Sequence, residues 1–124
     1  LLADFVGAAR LDALGVFGYS DEEGTEAAGL PRKVAEEVVA ERLERLSDLA
    51  TELVDQRAAE RLGERVQVLV EAADADGATG RARHQGPEVD GSCTLASGAV
   101  GELVWGKVVD AEGVDLVVER EDGL

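Results

Sequence analysis

Few residues of this chain carry reactive chemistry. There is one cysteine and one histidine in 124 residues. A lone Cys93 excludes an internal disulfide framework and a multi-cysteine metal site. It reads as a small buried apolar residue. His84 has neither a cysteine partner nor an acid in register, so no nucleophile–base pair or triad is arguable; it reads as an incidental strand residue. Arg81 and Arg83 share one strand face. Local pairing with the plentiful acids is the plainer reading for them, contact with a substrate the functional one. Glu88 and Asp90 flank Val89 in the loop that follows. They either cap and solvate that loop or present charge to basic side chains of a partner. Trp105 could stack on a base, although a lone Trp in a strand is more often core. A second acidic loop, Ser20-Asp21-Glu22-Glu23-Gly24, follows an apolar run. It reads as a solvated turn, or as a loop at the carboxyl end of a strand, where α/β folds place their chemistry.

Composition narrows the partners. The net charge is −15. Residues 1–62 hold 14 acids and 7 bases, and residues 63–124 hold 13 acids and 5 bases. Neither half is a basic surface made for phosphate. Aromatics are only 3% of the residues, too few for a stacking platform of several rings. These facts disfavour nucleic acid as the main partner and suit a basic protein. There is no run of ~20 apolar residues to span a membrane and no basic-plus-apolar signal segment, so the expected location is cytoplasmic. The first residue is Leu and Met is absent, which suggests an internal-to-C-terminal piece of a longer chain.

The elements that must position these residues follow from periodicity. Leu1, Leu2, Phe5, Val6 and Ala9 make one helical face. Ala13, Leu14, Val16 and Phe17 read as a strand buried on both faces. Pro31 suits the first position of a long helix. Val39, Leu43, Leu46, Ala50 and Leu53 give that helix a narrow apolar stripe, and Gly63 ends it. The stripe is expected to pack on a neighbouring domain. After Gly63 the period becomes two. Strands are expected at 65–72, 78–84, 92–95, 102–110 and 114–119, with turns at Asp76-Gly77 and Ala111-Glu-Gly113. Five short strands at close spacing suggest a small barrel.

Two stretches resemble a known family. Val16-Phe17-Gly18-Tyr19-Ser20-Asp21-Glu22-Glu23-Gly24-Thr25 is similar to the end of the radical-SAM domain in the methylthiotransferases, the RimO and MiaB enzymes. The second half resembles the TRAM domain that ends them. Gly80-Arg-Ala-Arg-His-Gln-Gly-Pro-Glu-Val-Asp-Gly91 resembles the RimO pattern in particular: Gly-Arg, a few variable residues, then Ala-Pro-Glu-Ile/Val-Asp-Gly. Gly86 stands where that pattern usually has Ala. MiaB proteins lack the Pro-Glu-Val-Asp-Gly run.

The resemblance implies an α+β chain. Residues 1–56 would be the C-terminal piece of a radical-SAM α/β barrel (helix, strand, long helix), and residues 57–124 a five-stranded OB-like antiparallel β-barrel. It implies an enzyme that methylthiolates the β-carbon of an aspartate in the twelfth protein of the small ribosomal subunit. Two 4Fe-4S clusters and S-adenosylmethionine would be the cofactors. The family's cluster ligands are cysteines of other domains, and Cys93 matches none of them, so this chain is expected to hold no cofactor and to be inactive alone. The implied partners are a basic ribosomal protein and the remaining domains, with tRNA or RNA as the alternative. Arg81, Arg83, Glu88 and Asp90 are the candidate substrate contacts.

Overall fold

The opening apolar repeat forms helix α1, Leu2–Ala9, in the computed structural model, which describes residues 1–87 and 90–121. Arg10 ends it in the left-handed conformation, φ 54°. No residue of α1 is buried. The strand expected at 13–17 does not form: the stretch has no ladder partner among the described residues. Apolar composition marks a segment for burial, but a strand exists only where a neighbour takes its N–H and C=O groups. Phe17 is 91% exposed instead of buried on both sides. Gly18 lies against the next helix, where an added Cβ would sit 3.6 Å from Val39 and 3.8 Å from Leu43.

The long helix, α2, spans Glu36–Glu60 and so begins after Pro31 rather than at it. Arg32 takes a left-handed φ of 59°. The Lys33 ammonium donates to Asp21 and to the Ala27 carbonyl. These ties hold 31–35 against the preceding loop, so helical winding starts after Ala35. Glu36 and Glu37 then occupy the first turn, where the dipole favours acids. The expected stripe is present and deepens toward the C-terminus, ending in buried Ala50, Val54 and Ala58. Gly63 follows with φ 87° and donates its N–H to the Val108 carbonyl, so the helix leads straight into the barrel.

Five strands follow: β1 Arg65–Asp74, β2 Gly77–Ala82, β3 Cys93–Leu95, β4 Leu103–Glu112 and β5 Asp115–Arg120. They close into a barrel in the order β1-β2-β3-β5-β4, with β4 returning to β1. Every pairing is antiparallel except β3–β5, which is parallel at Cys93↔Leu116 and Thr94↔Val117. The expected OB-like barrel is thus mixed rather than wholly antiparallel. Strand direction cannot alternate all the way round a ring with an odd number of members, so one pair must run parallel. His84 lies in a turn, because β2 ends at Ala82 rather than running on.

Alternation works as expected along β1, where Val66, Val68 and Val70 point inward and Arg65, Gln67 and Leu69 do not. The core is almost wholly aliphatic, joining these valines to Leu95, Val104, Val108, Leu116 and Val118, with Cys93 and Ala58 of α2. Small residues let the strands close. A Cβ on Gly80 would lie 2.0 Å from the Leu69 carbonyl oxygen. Register shifts between Val70 and Ala72 and between Val108 and Asp110 bend the two longest strands, as small barrels require.

Candidate functional site

Of the four residues read as candidate contacts, Arg81 and Arg83 come together. They border a shallow depression on the outer wall with Gln67, Leu69 and Leu103. Arg81 Nε lies 3.2 Å from Glu71, so the local pairing anticipated for it is present. Arg83 is exposed in the turn after β2. Asp90 faces elsewhere, into a cleft of about 500 Å³ between residues 13–16, α2 and the β4–β5 turn. Glu88 lies outside the described residues.

The outer wall holds more than the sequence reading found there. Trp105 is 41% exposed and is not core. Register places Arg65 beside Lys107, Gln67 beside Trp105, and Leu69 beside both Leu103 and Arg81. Arg65 stacks its guanidinium 4.0 Å above the Trp105 ring while binding Glu121. That carboxylate raises the Arg65 pKa further. Four of the barrel's five bases therefore share this wall with its only tryptophan. Parity could have revealed it. Trp105 is two residues from Lys107, and both alternate with Val104, Gly106 and Val108.

The loop after β2 is built on a buried amide. Gln85 is 3% exposed. Its Oε1 accepts from Ala82 N–H at 3.0 Å and from the Cys93 thiol at 3.1 Å. Its Nε2 donates to the Ser92 and Val114 carbonyls, each at 3.2 Å. Sequence reading passed over Gln85, because an amide in a polar loop carries no periodic signal. Farther round, Asp90 Oδ2 accepts from Gly86 N–H at 2.9 Å.

An ion network joins the N-terminal segment to the barrel. Arg61 is 8% exposed. Its Nη2 lies 2.7 Å from Asp12, and its Nη1 3.0 Å from Glu64. Arg57 adds a 3.4 Å contact with Asp12. His84 borders this cluster, and burial together with the Arg61 charge lowers its pKa. The acidic loop at 20–25 is engaged in its own folding. Asp21 binds Lys33 at 2.8 Å, which lowers the carboxyl pKa and raises that of the ammonium. The Lys33 ammonium also lies 5.0 Å from the Tyr19 ring centre, and Thr25 Oγ1 donates to the Glu22 carbonyl.

The residues present do not fit an iron–sulfur cluster. Cys93 is fully buried inside the barrel, and burial pushes its thiol up to about 11. Cluster ligation needs several thiolates at one place. Among the described residues no group of three or more His, Cys, Asp or Glu is placed to hold a metal ion, and no helix is long and apolar enough to cross a membrane.

The TRAM domain family matches residues 62–120, which begin just after α2 and hold the five strands. This barrel is a TRAM domain. The similarity to relatives runs beyond it, through α1, α2 and the acidic loop. A Streptomyces coelicolor protein is 61% identical over 95% of this chain, one from Saccharopolyspora erythraea 60% over 94%, and one from Cutibacterium acnes 57% over 94%. Each is named ribosomal protein uS12 methylthiotransferase RimO. The chain spans about a quarter of the length of these relatives. The RimO-type resemblance read from two short motifs therefore extends to nearly the whole chain, TRAM barrel included.

Proposed function

We propose that this chain is the substrate-recognising end of a radical-SAM methylthiotransferase that modifies uS12. The observation that carries this reading is identity of 57–61% to proteins of that name across nearly all of the chain. In the intact enzyme, the radical formed from S-adenosylmethionine would remove a hydrogen from the β-carbon of the target aspartate, and the second cluster would support transfer of the methylthio group. Both 4Fe-4S clusters and the S-adenosylmethionine would be held by other parts of the protein, leaving this chain inactive by itself. The reaction would take place in the cytoplasm. The division between radical-SAM and TRAM parts would fall near residue 56, within α2.

The TRAM barrel's part is to bind uS12, a basic protein. The charge from Gly63 onward, 13 acids against 5 bases, favours that partner. A second reading rests on the outer wall. Arg65, Arg81, Arg83 and Lys107 around an exposed Trp105 offer cations and a stacking ring to RNA. Glu71 and Glu121 already occupy two of those cations, so protein recognition is the reading we favour.

Titrating the chain with uS12 and with tRNA at two salt concentrations tests the choice. The uS12 complex should be the tighter and should weaken as salt rises, association slowing first. Tighter tRNA binding near ~150 mM salt, where the screening length is about 8 Å, would transfer the assignment to a tRNA-modifying enzyme.

A further inference from the structure

The cleft beside α2 brings together two sets of groups that the fold leaves unused. One wall is the run at residues 13–16. Among the described residues none of its backbone N–H or C=O groups enters a backbone hydrogen bond, although Ala13, Leu14 and Val16 are half-buried. The facing walls are α2, through Thr51 and Asp55, and the barrel, through Asp90 and Val114. The charged lining is wholly acidic: it consists of Asp55 and Asp90, with no lysine or arginine. Asp55 is exposed and forms no ion pair among the described residues. Asp90 Oδ2 accepts from Gly86 N–H at 2.9 Å, which leaves Oδ1 available.

An unpaired extended run accepts a peptide strand through main-chain bonds, and the side chains around it select which peptide. Two kinds of strand fit the free backbone here, one from elsewhere in the enzyme or one from a substrate. A strand buried on both faces is a continuous apolar run. Laid in this cleft, it would strip water from two carboxylates and supply no cation, which is costly. A segment that carries lysine or arginine pairs them instead. We infer that this cleft is the docking groove for an extended, basic segment of uS12, whose backbone pairs with residues 13–16 and whose cation is met by Asp55 and Asp90. The inference rests on the proposed recognition of uS12. It puts the contact at the junction of α2 and the barrel, away from the Arg81–Arg83 wall. The paired stretch would be about 13 Å long, at ~3.3 Å per residue.

Titrating the full chain with uS12 tests this, with exchange of the Leu14, Gly15 and Val16 amides followed in the free and bound states. Wild type is compared with three variants. Asp55→Lys reverses a charge in the cleft. Thr51→Trp fills the cleft without changing charge. Asp76→Lys makes the same reversal in the β1–β2 turn, outside the cleft. All three positions are exposed, so folding is spared. The 14–16 amides should slow only in the complex. Asp55→Lys and Thr51→Trp should bind about tenfold more weakly, and Asp76→Lys within about twofold of wild type. Equal weakening by the two lysine variants would assign the effect to overall charge and overturn the inference. So would unchanged exchange at 14–16 on binding, or a Thr51→Trp variant that binds like wild type. In the intact enzyme, slow 14–16 amides before uS12 is added would give the run to another strand of the enzyme and overturn it as well. If the wild-type chain does not bind uS12, the functional reading falls by itself. A short peptide of alternating valine and lysine then decides the chemistry of the cleft. Slowing of the 14–16 amides by that peptide, and not by its valine–glutamate counterpart, upholds a groove for basic extended segments; any other pattern overturns it.

Discussion

Residues 1–35 and the TRAM barrel are built from similar apolar material and end in opposite states. Phe5 and Phe17, near the start, are 65% and 91% exposed, whereas Leu95 and Leu116 in the barrel are almost fully buried. The difference is not hydrophobicity. The barrel supplies each strand with two neighbours, so its backbone groups and its side chains are satisfied together. The first segment contributes one α-helix, one extended run and a short 3-10 turn at Ala27–Gly29. No described strand pairs with that run, and its apolar side chains gain little by lying down. Apolar residues therefore stabilise a fold only where the chain also completes their hydrogen bonding.

The sharpest way to break this comparison is chemical. Cys93 should resist thiol reagents at neutral pH, because it is buried and its thiolate is suppressed. Labelling should need an opening of the barrel and become fast only in denaturant. Fast labelling of the native chain would show that the barrel is loose. Amide exchange should agree, with β1, β2 and β4 slow and residues 11–35 markedly faster than these strands.

Next in size is a core truncation. Leu116→Ala should cost about 2–5 kcal/mol in urea unfolding, while Phe17→Ala should stay within about 0.5 kcal/mol, as for an uncommitted surface position. Similar losses in the two variants would mean that residues 1–35 fold with the barrel as one unit.

The junction gives a smaller effect. Arg61→Met removes the nearer of the two arginine partners of half-buried Asp12 and should cost about 1–3 kcal/mol. Exchange at residues 11–18 should accelerate more than exchange in β4. An unchanged N-terminal segment would show that the ion network does not hold it to the barrel.

The smallest effect is a pH dependence. The folded-state pKa of His84 lies below its ordinary value, so folding favours the neutral ring. The unfolded chain takes up the proton first as pH falls. The His84 contribution is therefore fully present above about pH 6.5, the ordinary imidazole value, and is lost as pH falls through the folded value. The urea midpoint should rise from pH 5.5 to pH 7 by less than the Arg61 effect, both pH values bracketing roughly that ordinary pKa. His84→Gln should flatten this part of the profile, and an unaltered slope would assign the dependence to other groups.

Much of this was legible in the residue order. Val66, Val68 and Val70 announced a half-buried strand, Asp76-Gly77 a hairpin and Gly63 a helix end, because each is decided within a few residues by sterics and alternation. The acidity and the single cysteine limited the chemistry in the same direct way. Tertiary structure alone decided the rest. No local signal says that the run at 13–17 finds no ladder partner among the described residues, that Lys33 delays α2, or that a five-membered ring makes β3 and β5 parallel. Nor could spacing show Arg65 stacking on Trp105, or Asp90 bound to the Gly86 amide. In each case the deciding energy belongs to a pair of groups brought together by the closed fold, and the composition of either partner does not determine whether they meet.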